Sequence, residues 1–253
     1  MDYDVITNKF EEIRNEIEND IKLSNVPFTL KSLLRTSQKV DQILESIRLI
    51  KNQFYSSQIL IRSLFEHYIV SHYIFMKWYN HRNDIVGLDY YQKYMISEFI
   101  KQTSYNYQID NIEKNGSGSI PLDELRKFKS LQDATHADIQ EMHMVGNQFE
   151  IKRIGKYFIS LNVESYALKG VHRAMLDFMR RYNKLSSWVH GGPTADIITF
   201  EKELHLDLEI TEENIKWSEI ASKSIKFNIM SIMAFEFSEK YVDHINDVVG
   251  KKR

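Results

Sequence analysis

The segment NKLSSWVHGGP, residues 183–193, gathers side chains suited to acid–base chemistry beside a helix breaker. Asn183, Ser186, Ser187 and His190 stand at helical steps, so a helix would carry them on one face, with His172 near the same line. Gly191 and Gly192 can take the left-handed geometry that ends a helix, and Pro193 prevents its resumption. His190 then sits at a helix C-terminus, where the dipole favours imidazolium. Arg180, Arg181 and Lys184 lie just upstream. One reading makes His190 a general base or phosphate ligand among polar partners. The other makes it a cationic C-terminal cap. Ser186 with His190 shows no oxyanion donor or orienting acid, which argues against serine hydrolysis.

Arg62 and Glu66, in RSLFEH, form a second candidate pair. Four residues apart, they share a face of a helix that is otherwise apolar. Tyr55, Gln58, Tyr73 and Lys77 project within about 50° of that line. The stripe either lines a cleft or is a solvent-facing edge or a structural ion pair. Arg62 and His67 formally fit an R-x(4–6)-H spacing. Within one helix, however, they diverge by roughly 140°.

A third stretch, DATHADIQEMH (133–143), offers Asp133, His136, Asp138, Glu141 and His143. His136 and His143 share a helical face and could hold a metal with help from another helix. No second ligand cluster accompanies them, so the stretch is read as a solvated polar face and no metal is assigned.

The elements that must position these residues are helical. Nine glycines and three prolines in 253 residues leave few breakers. Val5, Phe10, Ile13, Ile17 and Ile21 give residues 2–23 one apolar stripe, a peripheral helix. A second helix is expected over 29–51 and a third over 54–80. The third is apolar or aromatic nearly all round, as a central helix reads. Loops at 81–89 and 115–121 flank a fourth helix over 90–114, and a fifth follows over 122–145. Residues 146–162 read as a hairpin or a helix fragment. A strong helix covers 164–190, and 191–210 reads as extended. Thr211 followed by Glu212 and Glu213 suggests an N-cap for a last helix running to 249. The expectation is an all-α, single-domain bundle of about seven helices. Residues 1–28 would form the periphery and 29–249 the core.

Composition narrows the chemistry. Hydrophobic residues make up 43% and charged residues 27%, ordinary for a soluble globular protein. A net charge of −2 supplies no global basic field for nucleic acid, though a local basic face is compatible with it. The chain has no cysteine, which excludes disulfides, thiolate metal sites and thiol nucleophiles. No run approaches a membrane span, and the acidic N-terminal segment lacks signal-peptide character, so a cytoplasmic location is expected. Rossmann, P-loop, HExxH, GxSxG and EF-hand patterns are absent, and no cofactor is implied.

RSLFEHYIVSHYI and YNKLSSWVHGG taken together resemble a bacterial all-helical family known as domain-of-unknown-function family 5677. The resemblance covers about residues 30–245. It implies that Arg62, Glu66, Ser186 and His190 form one constellation where two core helices meet, and it supplies no activity. More broadly, the chain resembles the HEPN superfamily of nucleotide-binding and RNA-cleaving helical domains, which act as dimers in phage defence and stress. Their R-x(4–6)-H motif sits at a helix end, as His190 does. Here the arginine nearest upstream is Arg181, nine residues away, and Lys184 holds the allowed spacing. The resemblance implies a homodimer that binds RNA or a nucleotide. It also implies metal-independent cleavage with His190 activating a ribose 2′-OH, Lys184 or Arg62 offsetting phosphorane charge, and Asn183, Arg181 and Tyr73 lining the site. The alternative is a non-enzymatic interaction or regulatory domain, with a protein partner and a structural Arg–Glu–His network.

Overall fold

The computed structural model describes residues 3–111, 120–161, 166–189 and 204–250. Among these it is 88% helical with no strands, which establishes the all-α class, and it has eleven α-helical segments rather than about seven. In chain order they are α1 (Tyr3–Asp20), α2 (Pro27–Leu49), α3 (Phe54–His81), α4 (Ile85–Leu88), α5 (Met95–Asp110), α6 (Leu122–Arg126), α7 (His136–Asn147), α8 (Ile151–Ser160), α9 (Tyr166–Val189), α10 (Leu204–Glu236) and α11 (Ser238–Val249). A π-helical stretch, Asp89–Tyr94, joins α4 to α5, so the two run as one rod.

Apolar periodicity accounts for most of this. In α1, Ile6, Phe10, Ile13 and Ile17 are buried at steps of four, three and four, whereas Val5 is 38% exposed. The inward stripe thus includes Ile6 in place of the expected Val5. Helix α3 is central and packs against α2, α9 and α10, with α8 along its C-terminal half. Met175, Phe178, Tyr182 and Leu185 give α9 its buried stripe. Phe178 ties three helices together. Its ring centroid lies 4.5 Å from Tyr68 of α3 and 4.8 Å from Trp217 of α10. A small satellite core of Ile100, Leu125, Leu131 and Ala134 sits under α5, α6 and α7.

Several elements differ from expectation. The helix expected over 122–145 is split, because Thr135 and Asp138 form a capping box that starts α7 afresh. Residues 151–160 are helix, not hairpin. Residues 204–210, expected to be extended, belong to α10, and Thr211 lies inside that helix rather than capping it. Its hydroxyl is buried and accepts from Gln58 Nε2 at 3.1 Å. A tertiary hydrogen bond thus satisfies a residue whose local preference is a helix start. The last helix is interrupted at Phe237 (φ −133°, ψ 60°). There the Glu236 carboxylate accepts from Asn25 N at 2.8 Å and Ser24 Oγ at 3.2 Å, pinning the break to the turn before α2.

Candidate functional site

Arg62 and Glu66 lie one turn apart on α3 and meet Tyr182 of α9. Arg62 Nη2 donates to Tyr182 Oη at 2.8 Å, and Tyr182 Oη donates to Glu66 Oε2 at 3.4 Å. Arg62 Nη1 stands 3.6 Å from Glu66 Oε2, and the Arg62 side chain is 20% exposed against 43% for Glu66. The arginine Nε is buried without a partner among the described residues. Burial, with Glu66 adding to it and Arg62 opposing, raises the Tyr182 hydroxyl pKa and keeps the phenol neutral.

Glu66 also faces the π-helical stretch. Burial, reinforced by Glu66, raises Tyr90 despite a hydrogen bond to Thr36. Tyr94 is pushed up to about 12 by burial first, then by Glu98, Tyr90 and Glu66. The two rings stack at 5.2 Å and 11°, with Phe149 against both. One extra residue per turn is how a π-helix brings successive side chains to an unusual face, and such stretches recur at functional sites.

The other predicted residues scatter. Arg181 turns to α10, where Nη2 donates to Glu213 Oε1 at 2.6 Å and the guanidinium lies 4.4 Å from the Trp217 ring centroid. That hydrogen bond holds the Glu213 carboxyl below its usual range. Asn183 and Lys184 are exposed and Ser186 is half-buried. Tyr73 lies further along α3, buried edge-on against Phe149 and Tyr157. His190 and the following Gly-Gly-Pro lie outside the described residues. His67 shares the α3 helix with Arg62, but its charged neighbour is Lys39 of α2, whereas Arg62 bonds to α9. The 133–143 stretch is locally committed. Asp138 caps α7 and Glu141 bonds Lys93, and among the described residues no three His, Asp or Glu groups converge as metal ligands.

Sequence reasoning missed Tyr182 and the Tyr90–Tyr94 pair. The spacing YYQKY was the available signal for the stack; nothing local marks Tyr182. It also missed a buried ion pair. Lys226 Nζ, on α10, donates to both Asp41 carboxylate oxygens at 2.7 Å and to Ser222 Oγ at 3.0 Å. Ser222 Oγ donates to Asp41 Oδ1 at 2.6 Å. All three ammonium protons are used, which makes this cluster structural.

Comparisons with protein families, curated proteins and solved structures find no match. No helix among the described residues is long and apolar enough to cross a membrane.

Proposed function

We propose that this chain is a single HEPN-like helical domain that acts as a cytoplasmic homodimer and binds RNA or a nucleotide at the α3–α9 seam. The observation that carries the reading is the Arg62–Glu66–Tyr182 cluster. It joins the RSLFEH face to α9 four residues before Ser186, as one constellation would require. The Arg62 side chain is 20% exposed and keeps a buried Nε donor unmet, and a phosphate oxygen is the kind of acceptor such a donor takes. In this reading His190 removes the ribose 2′-OH proton. The 2′-oxygen attacks the adjacent phosphorus and the 5′-oxygen leaves, giving a 2′,3′-cyclic phosphate. Lys184 or Arg62 offsets the charge of the phosphorane.

The test is cleavage and gel retention of a mixed tRNA and mRNA pool in EDTA. Wild type, His190→Ala and Arg62→Gln are compared. The expected result is cyclic-phosphate ends from wild type, loss of cleavage in His190→Ala, and weakened retention in Arg62→Gln. A wild type that neither cleaves nor retains RNA, and binds no nucleotide, overturns the reading.

One set of observations favours the second reading, a non-enzymatic interaction or regulatory domain. Arg62, Glu66 and Tyr182 already bond one another, and Arg181 is engaged by Glu213. Under it, Arg62→Gln lowers stability and leaves RNA retention unchanged.

A further inference from the structure

The described structure contains an open groove of about 490 Å³ between the C-terminal half of α3 and α10. That volume falls in the range of small-molecule sites. Its walls are mostly aromatic and aliphatic, with Phe75, Trp78, Phe227 and Phe235 prominent. Phe235 is 56% exposed at the mouth.

Three polar side chains of this lining are abnormal. His72 Nδ1, Trp78 Nε1 and Asn228 Nδ2 are buried and have no hydrogen-bond partner among the described residues. The residues themselves are 3%, 3% and 5% exposed. Buried donors without partners are rare in folded proteins and costly. Here three gather around one apolar groove. Each of them would take the same kind of ligand atom, an acceptor oxygen. The indole and carboxamide N–H groups donate only. A neutral imidazole donates from Nδ1 in one tautomer. Burial, with His172 nearby, lowers the His72 pKa to about 4 and keeps that ring neutral.

Among the described residues, the one charged side chain lining the groove is Arg82. Its guanidinium carbon lies 4.4, 4.7 and 4.3 Å from the ring centroids of Trp78, Tyr79 and Phe235. No carboxylate among the described residues pairs with it. Arg82 also holds φ at 52°, and it is the only non-glycine residue with positive φ among the described residues. Glycine or asparagine is the usual occupant at that position after a helix. An arginine that bears this backbone cost and lacks an anion is suited to supplying a cation at the mouth.

We propose that this groove binds an amphipathic monocarboxylate, with its apolar chain or ring in the trough and its carboxylate between Arg82 and the unpartnered donors of Trp78 and Asn228. The site is separate from the α3–α9 seam and does not rest on the RNA reading. A free fatty acid and an aromatic acid share this chemistry, and chain-length and ring series distinguish them.

The test is isothermal titration of the full chain with decanoate, decanol and 4-phenylbutyrate below their aggregation limits. Decanoate or phenylbutyrate is expected to bind one to one, and decanoate roughly tenfold more tightly than decanol. Arg82→Asn relieves the left-handed backbone, so it should fold well and lose the preference for acid over alcohol. Ser231→Trp fills the trough and should abolish binding of all three, with the fold checked by its circular dichroism and melting profile. Equal affinity for decanol and decanoate overturns the carboxylate assignment. Binding that survives Ser231→Trp places the site elsewhere. Absence of any binding, together with a concentration-dependent dimer in sedimentation that Ser231→Trp disrupts, overturns the small-molecule reading in favour of a second copy of the chain.

Discussion

Lys226 and Asn228 stand two residues apart on α10 and look out on opposite sides of it. Both are almost fully buried, yet their situations are opposed. Lys226 has every proton of its ammonium engaged by Asp41 and Ser222. Asn228 has an amide nitrogen with no hydrogen-bond partner among the described residues, and Trp78 and His72 share that condition across the groove. On one side the chain has built a closed polar tie between α2 and α10. On the other it has left donors unmet around an apolar hollow. A buried polar group bonded within the protein serves the fold. One left unbonded beside a cavity costs stability, and such a cost is expected where a ligand is bound. The Arg62 cluster is intermediate, hydrogen-bonded to Tyr182 through Nη2, ion-paired with Glu66 at 3.6 Å through Nη1, and unmet at Nε.

The sharpest way to break this contrast is at the tie. Asp41→Ala would strand the ammonium of Lys226, whose side chain is 3% exposed. Breaking one partner of a buried pair costs several kcal/mol, and the partial exposure of Asp41 reduces that. A loss of about 3 kcal/mol in urea unfolding is expected. A loss below about 1 kcal/mol would mean that Lys226 reaches water and that the closed tie is illusory.

The groove side should reveal itself through pH. His72 binds its proton more weakly in the fold, at about 4 against an ordinary 6.5. The unfolded chain therefore holds more protons between those values. Stability is complete above pH 6.5 and falls as the pH drops toward 4, by up to about 3 kcal/mol from this ring alone. Urea midpoints between pH 7 and 4.5 measure the slope. His72→Phe should remove most of it, and an unchanged slope would assign the acid sensitivity elsewhere.

Long apolar periodicity was readable in the sequence. The spans of α1, α2, α3 and α9 follow from it to within a few residues. What escaped were features decided by distant partners. Thr211 reads as a cap, but Gln58, 153 positions away, donates to its hydroxyl and holds it in the middle of a helix. The break at Phe237 has no glycine or proline to announce it, and Glu236 is instead held by the turn at Ser24 and Asn25. The split before α7 is legible in Thr135 and Asp138, whose capping-box spacing interrupts the helical periodicity of 122–145. At the candidate site the Arg62–Glu66 pair follows from helical spacing. Tyr182, 120 residues beyond Arg62, carries no local mark of its role. The groove was invisible because its donors are ordinary core residue types, and only a census of partners singles them out.

The intermediate region gives an intermediate prediction. Tyr182→Phe removes the hydroxyl that bridges Arg62 and Glu66 and keeps the ring. Both charges retain access to water, so the expected loss is about 1 kcal/mol by urea unfolding. A loss as large as that of Asp41→Ala would place this cluster with the closed structural tie. It would also strengthen the non-enzymatic reading of the seam.

The smallest effect on stability is the most discriminating. Asn228→Leu exchanges an unmet amide for an apolar group of the same branched shape, facing a groove with room for its added bulk, on a wall that is already apolar. Because no hydrogen bond is lost from Nδ2 and the desolvation cost of the amide disappears, the change should lie within about 0.5 kcal/mol of zero or be stabilising. The same substitution should weaken decanoate binding and leave decanol binding nearly unchanged, since only the carboxylate uses that donor. Stability and ligand affinity then move in opposite directions at one residue, which a purely structural asparagine would not produce. A clear destabilisation would show that Asn228 has a partner in solution and would return this wall of the groove to the class of bonded polar groups that Lys226 represents.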